Sequence, residues 1–402
     1  MHIQFFKFIL TTLFVFGSIH IIIYYSLLKL VRIKIKLNLL KGVLIFLALS
    51  FIIFTAINHL FNNIFSRVLA ASAGVWFVYS IYLASFFTLI WIVRFLLNLF
   101  NHQIAEKIYQ KISITLMVGT LCFTLYGVYL AYQVKITTVP VQLNALPENW
   151  RGKKILQISD LHLGGSWGEG KIEKIKNIIV ETKPDVVVIT GDLFDGSSDK
   201  NIQFIEGLST LTAQKIPYGI YFTSGNHEIY SGYEKSIDIV KQSGIIPLEN
   251  KMVNLDGLLL IGVKFPDFSK NNFATEGIYQ IDKDPLYKKT MPSVLLYHVP
   301  TEIAVAHKSI AEMQQSAYTN PDTNFTYAQS IGIDLQLSGH THAGQFFPFR
   351  YITDRIFNGF SYGLQKVNNF QIYIHAGTGT WGPPVRHIYP SEAALIILNQ
   401  AQ

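Results

Sequence analysis

Residues 185–196 read DVVVITGDLFDG. Val186 to Ile189 form an unbroken β-branched run, the pattern of a strand buried on both faces. Gly191 ends the run, and Asp192 and Asp195 follow it. A carboxylate in that place has two readings. It is a turn residue, the commoner use of a Gly-Asp pair. Or it faces a ligand, because open α/β sheets bind ligands beyond the carboxyl ends of their strands. The neighbouring runs decide between the two.

KILQISD, YGIYFTSGNHE, LLLIGVKF, SVLLYHVP, DLQLSGHTH, FQIYIHAG and AALIIL also read as buried strands. Between the early ones, EGKIEKIKNIIVETK, NIQFIEGLSTLTAQ and YEKSIDIVKQSG carry apolar residues at helical spacings. This alternation predicts a layered α/β fold. Chemistry-bearing residues gather at the strand ends: Asp160 and His162, then Asp192 and Asp195, then Asn226, His227 and Glu228, then His298, then His340 and His342. Gly191, Gly225 and Gly339 precede three of these groups and allow sharp turns with close backbone approach. If extended backbone continues past Leu337, His340 and His342 lie on one face and aim at one spot. Singly, each residue has an ordinary use: Asn226 as a helix cap, His298 as a hydrogen-bonded core histidine. Five such motifs in order at strand ends do not assemble by chance. His307 and His375 lack motif partners and are read as structural.

SDLHLG, GDLFDG, GNHE, YHVP and GHTHAGQ, spanning residue 155 to about 345, together resemble the calcineurin-like metallophosphoesterase superfamily. The tail GTGTWGPPVR resembles its membrane-anchored branch. The resemblance implies a layered α-β-β-α domain with two divalent ions, Mn, Fe or Zn, a choice that mixed oxygen and imidazole donors suit. One ion would take Asp160, His162 and His342, the other Asn226, His298 and His340, with Asp192 shared. His227, oriented by Asp195, would stabilise or protonate the leaving group. Arg386 has two readings, a contact to substrate phosphate and a structural ion pair. The implied reaction is hydrolysis of a phosphoester, phosphodiester or pyrophosphate. The motifs are specific for fold and metal chemistry and poor guides to substrate.

The rest of the chain is different in kind. Half of the 402 residues are hydrophobic, and mean hydropathy is +0.30. Residues 1–150 hold eleven basic and two acidic residues, a net +9, whereas the remainder holds 22 and 24, a net −2. The folded domain therefore shows no basic excess, and a nucleic-acid partner is not expected. The one cysteine, Cys122, excludes an internal disulfide. Phe5–Leu28, Gly42–Leu60, Val68–Val93 and Ile112–Tyr132 are each apolar and long enough to span a bilayer. The chain divides into a transmembrane helical region at 1–134, a linker at 135–152, whose composition also suits an edge strand, and a metallophosphoesterase domain at 153–402.

Lys29, Arg32, Lys34, Lys36 and Lys41 in the first loop, with Arg94, Lys107 and Lys111 in the third, outnumber Lys7, Arg67 and Lys135 on the other side. The positive-inside rule then places the domain outside the cytoplasm, on a cell (inner) membrane. An integral membrane enzyme acting on a phosphorylated substrate is expected, with lipid-linked and envelope phosphates the classes an anchor favours. The competing reading is a non-catalytic sensor or transporter accessory that binds metal and phosphate. It is disfavoured because His227 and Asp195 accompany a full ligand set. Two excursions, at 264–291 and 307–330, are read as surface loops.

Overall fold

The computed structural model describes residues 2–166, 168–196, 198–268, 280–303 and 309–401. His307, and residues 269–279 of the first excursion, lie outside the described residues.

Among the described residues, four helices are long and apolar enough to cross a membrane. They are α1 (His2–Ser26), α2 (Leu37–Phe61), α3 (Ile64–Leu99) and α4 (Glu106–Tyr132). Even the 25-residue α2 reaches about 37 Å at 1.5 Å per residue, more than the ~30 Å hydrocarbon core. Two asparagines turn the chain between α2 and α3. Asn62 takes the left-handed conformation that closes α2, and the Asn63 side chain accepts from Ser66 N to open α3. Small residues, Ala70, Ala73 and Ala84, are buried in α3, where they let helices approach. Phe14, Ile45 and Phe65 face outward, as lipid-facing residues do. Glu106 binds Arg32 (2.8 Å) and Arg94 (2.5 Å), so the first and third loops meet at one end of the helices.

The second compact unit begins at Leu130. Its strands are β1 (Val134–Leu143), β2 (Lys154–Ile158), β3 (Val186–Thr190), β4 (Ile220–Thr223), β5 (Ile246–Pro247), β6 (Lys251–Leu255), β7 (Leu258–Gly262), β8 (Ser293–Leu296), β9 (Leu335–Ser338), β10 (Gly363–Val367), β11 (Phe370–Ile374) and β12 (Ser391–Gln400). They form two six-stranded sheets, ordered β1-β12-β2-β3-β4-β5 and β10-β11-β9-β8-β7-β6. The quoted run at 186–190 is β3, buried along its whole length. Its two faces serve different layers. Val186 and Val188 enter the core between the sheets, while Val187 and Ile189 pack under α5 (Glu169–Thr182) and the helices that follow. The far face of the second sheet packs against residues of Ile310–Tyr318 and Thr326–Ser330. The layers are therefore helix, sheet, sheet, helix, as expected.

Residues 134–143 pair with β12 in parallel over ten positions, and Trp150 is fully buried, its indole donating to Leu255 O at 2.6 Å. The stretch after α4 is thus built into the sheet. In the first sheet β2, β3 and β4 run parallel, and in the second β7, β8, β9 and β11 do. Within each set the carboxyl ends share one edge.

Candidate metal centre

The carboxyl ends of β2, β3 and β9 deliver polar residues through left-handed backbone. Asp160, His162, Asp192, His340 and His342 all have φ between 49° and 71°. Such values are uncommon outside glycine, and Asp, Asn and His tolerate them best. Extended geometry therefore does not persist past β9, and strand alternation is not what aims His340 and His342. The two turns do it, sending the rings to different places.

His342 Nε2 lies 3.4 Å from Asp160 Oδ1 and 3.0 Å from His162 Nε2. His340 Nδ1 lies 3.1 Å from Asn226 Oδ1. Asp192 reaches both groups: its Oδ2 is 3.2 Å from His298 Nε2 and 4.0 Å from His162 Nε2. Asp160–His162–His342 and Asp160–Asp192–His298 each bring donor atoms within 4.8 Å of one another. His227 stands beside them, Nδ1 3.3 Å from Asp195 Oδ1, its ring 4.6 Å from that of His162.

The donor set fits a divalent cation. His298 Nδ1 bonds Thr190 O (2.8 Å), and His340 Nε2 bonds Ala317 O (3.1 Å). A carbonyl only accepts, so those nitrogens carry the protons. The lone pair of His340 Nδ1 then faces the amide oxygen of Asn226, an arrangement that a cation between them satisfies. His298 Nε2 is buried and lies 3.2 Å from Asp192 Oδ2. Burial holds His162 near pKa 4 and His340 near 3, so both rings are neutral at pH 7, the form that ligates. Burial also raises Asp160 to about 6. At Asp192 burial works upward too, but His298 and His227 outweigh it and hold the carboxyl below its ordinary range. In return Asp192 lifts His298 to about 9 against the effect of burial, a field that favours positive charge.

Two supports were given no role by the sequence reading. Glu228 is fully buried and accepts from the backbone N–H of Asp192 (3.0 Å), Phe194 (3.1 Å) and Gly225 (2.8 Å). It ties the loop after β3 to the loop after β4. Its place three residues into a helix start, where Glu reaches back to the cap, is the cue that finds it. Replacing it with alanine leaves three buried N–H groups unpaired. At ~1–3 kcal/mol each, Glu228→Ala is expected to lower the unfolding midpoint sharply, read by thermal melting in detergent; an unchanged midpoint would refute the clamp. The second support is the Ala317 carbonyl. Helix Ile310–Tyr318 lies over His340, so the second excursion is not a bare surface loop: its last turn fixes a site tautomer. Tyr318 packs against His340 and hydrogen-bonds Tyr230.

Gly339 is present for proximity. A Cβ there would collide with Ser159 Oγ and Asp160 Oδ2. Gly339→Ala is expected to displace Asp160 and reduce bound metal, measured by elemental analysis of the purified chain; full metal content would count against it. Arg386 is fully buried, donating to Gly379 O (2.8 Å) and Gly377 O (3.2 Å), with Nη2 3.3 Å from His342 Nδ1. His375 is buried and accepts from Gly377 N through Nδ1.

Residues 153–344 match the family of calcineurin-like phosphoesterases. The domain belongs to that family. An uncharacterized metallophosphoesterase of Helicobacter pylori is 34% identical to this chain over 275 residues, 66% of this chain and 65% of that protein. A transmembrane protein with metallophosphoesterase domain from Danio rerio is 30% identical over 325 residues, 75% of this chain and 65% of that one. An uncharacterized metallophosphoesterase of Campylobacter jejuni is 28% identical over 397 residues, 96% of each chain. The chain thus spans just under two thirds of the first two relatives and nearly all of the third. The calcineurin-like phosphoesterase family uses divalent metals, and the Asp and His clusters of this domain are candidate ligands for them.

Proposed function

We propose that the chain is a membrane-anchored, metal-dependent phosphohydrolase acting on a phosphoester, phosphodiester or pyrophosphate. The observation that carries the reading is Asp192, which stands within reach of two groups of neutral or cation-favouring donors, with His227 beside them held by Asp195. Asp160, His162 and His342 would hold one divalent ion and Asn226, His298 and His340 a second, with Asp192 shared between them. Bound ions supply Lewis-acid polarisation of phosphoryl oxygens and lower the pKa of water.

The remaining chemistry belongs to the side chains. Burial works against a charged His227, but Asp192 and Asp195 outweigh it and raise the imidazole to about 10. With Nδ1 held by Asp195, Nε2 is the nitrogen that gives its proton to the leaving oxygen. Arg386 takes a positioning role in this reading, because its Nη groups are engaged by the Gly377 and Gly379 carbonyls and by His342. The division into a membrane region at 1–134, a connector at 135–152 that supplies β1, and a catalytic domain at 153–402 belongs to the same proposal. So does an extracytoplasmic domain, which rests on eight basic residues against three beside the spans.

The test is hydrolysis of bis-p-nitrophenyl phosphate by the detergent-purified chain, stripped of metal and resupplied with Mn²⁺. Turnover that returns with metal supports the proposal. Metal bound without turnover of this or a panel of phosphoesters favours the binding-module reading, and folded protein that binds no metal refutes both.

A further inference from the structure

Beside the turn that carries His342, the chain exposes apolar residues in a cluster. Phe347, Phe349, Tyr351, Ile352 and Ile356 are all exposed within ten residues, and helix Phe349–Ile356 has no buried residue. Phe349, Ile352 and Ile356 fall on one stripe. Trp381 is 60% exposed. Gln345 gathers these pieces: its amide exchanges two hydrogen bonds with the Trp381 backbone, both 3.0 Å, and its carbonyl accepts from His387 N at 2.9 Å. Arg386, next to His387, touches His342. The apolar surface and one side of the metal centre therefore share a frame. Clusters of this size on a folded surface mark something that covers them.

What covers this one follows from where the chain leaves the bilayer. The end of α4 exposes Tyr126, Tyr129 and Tyr132, the aromatic belt of a membrane boundary. Lys171, buried on α5, donates to Ala131 O (3.0 Å) and to Thr378 O (2.7 Å). Ser391 Oγ donates to Ala131 O (2.8 Å), and Lys174 Nζ to Tyr132 O (2.6 Å). The loop bearing Trp381 thus begins one lysine side chain from the last residues of α4. The exposed residues are those of interfacial helices, aromatic and aliphatic with an arginine, Arg355, also exposed.

We propose that this surface binds the headgroup layer of a lipid bilayer, and that the metal centre draws its phosphate from a membrane lipid. The second clause rests on the proposed hydrolase; the first does not. The full chain is placed in phosphatidylcholine–phosphatidylglycerol vesicles as Cys122→Ser/Ile352→Cys, labelled with an environment-sensitive dye. The control is Cys122→Ser/Lys215→Cys, at an exposed residue ahead of the amino end of β4. Lipids spin-labelled near the headgroup are expected to quench the dye at 352 while aqueous iodide does not, with the reverse at 215. Iodide quenching at 352, or protection there from both quenchers as a second copy of the chain would give, overturns the proposal. For the lipid clause, vesicle-embedded phosphatidyl-p-nitrophenol is compared with dissolved p-nitrophenyl phosphocholine at equal bulk concentration. Faster turnover of the embedded ester is expected, and preference for the dissolved one overturns that clause. No turnover of either removes the hydrolase reading, while quenching still decides the surface.

Discussion

Asp192→Asn eliminates Mn²⁺-dependent phosphodiester hydrolysis and lowers bound metal in the same preparation. Asp192 reaches both donor groups, its Oδ2 lying 3.2 Å from His298 Nε2 and 4.0 Å from His162 Nε2. Removing a residue that merely supports a ligand costs about 10–100-fold in metal affinity or activity. Loss of a shared ligand exceeds that range, so turnover is expected to drop by more than ~100-fold. An amide keeps the size of the side chain and its Oδ1 can still accept from His227 N, as the carboxylate does at 2.9 Å. Folding is therefore retained, and a normal melting profile separates lost chemistry from lost structure. An active, metal-replete Asp192→Asn would leave the shared-site reading without its centre.

His227→Gln gives a different phenotype: metal content unchanged, KM little altered, kcat down by ~10²–10⁴, the usual contribution of a positioned acid. Its pH profile supplies the sharper check. A donor must be protonated, so activity in the parent chain falls on the alkaline side as His227 loses its proton. Burial lowers the pKa of His227, but the carboxylates of Asp192 and Asp195 raise it further, which displaces this limb upward. Asp195→Asn removes one of the raising charges and moves the limb to lower pH. In His227→Gln the limb disappears. A limb that stays in place in both variants would assign the proton to another group.

The continuous apolar runs at β2, β3, β4, β7, β8, β9, β11 and β12 were legible because these strands are buried on one or both faces by other layers. The strands that escaped notice are at edges or are very short. β6 and β10 show mixed exposure along their length, and β5 has two residues, so none of the three presents a run. β1 alternates toward its end but contains Pro140 and follows a membrane helix, which is why it resembled a linker. The candidate ligands were visible as polar residues at strand ends. Their aim was not, because φ at Asp160, Asp192 or His342 is set by tertiary packing and leaves no mark on spacing. The roles of Glu228 and Ala317 were hidden for another reason: one carboxylate accepts from backbone N–H groups and the other contact is a backbone carbonyl, and such backbone groups carry no sequence identity.

The left-handed turns narrow the chain's chemical vocabulary twice over. Asp, Asn and His are the side chains that tolerate such backbone, and they are also oxygen and imidazole donors suited to divalent ions. At Asp160, His162, Asp192, His340 and His342 one short alphabet thus answers two demands at once. Glutamate and cysteine, equally good donors in the abstract, answer only one. Drift at these positions is confined to a handful of spellings, and a redesign for a softer metal must rebuild the turns before it changes the ligands.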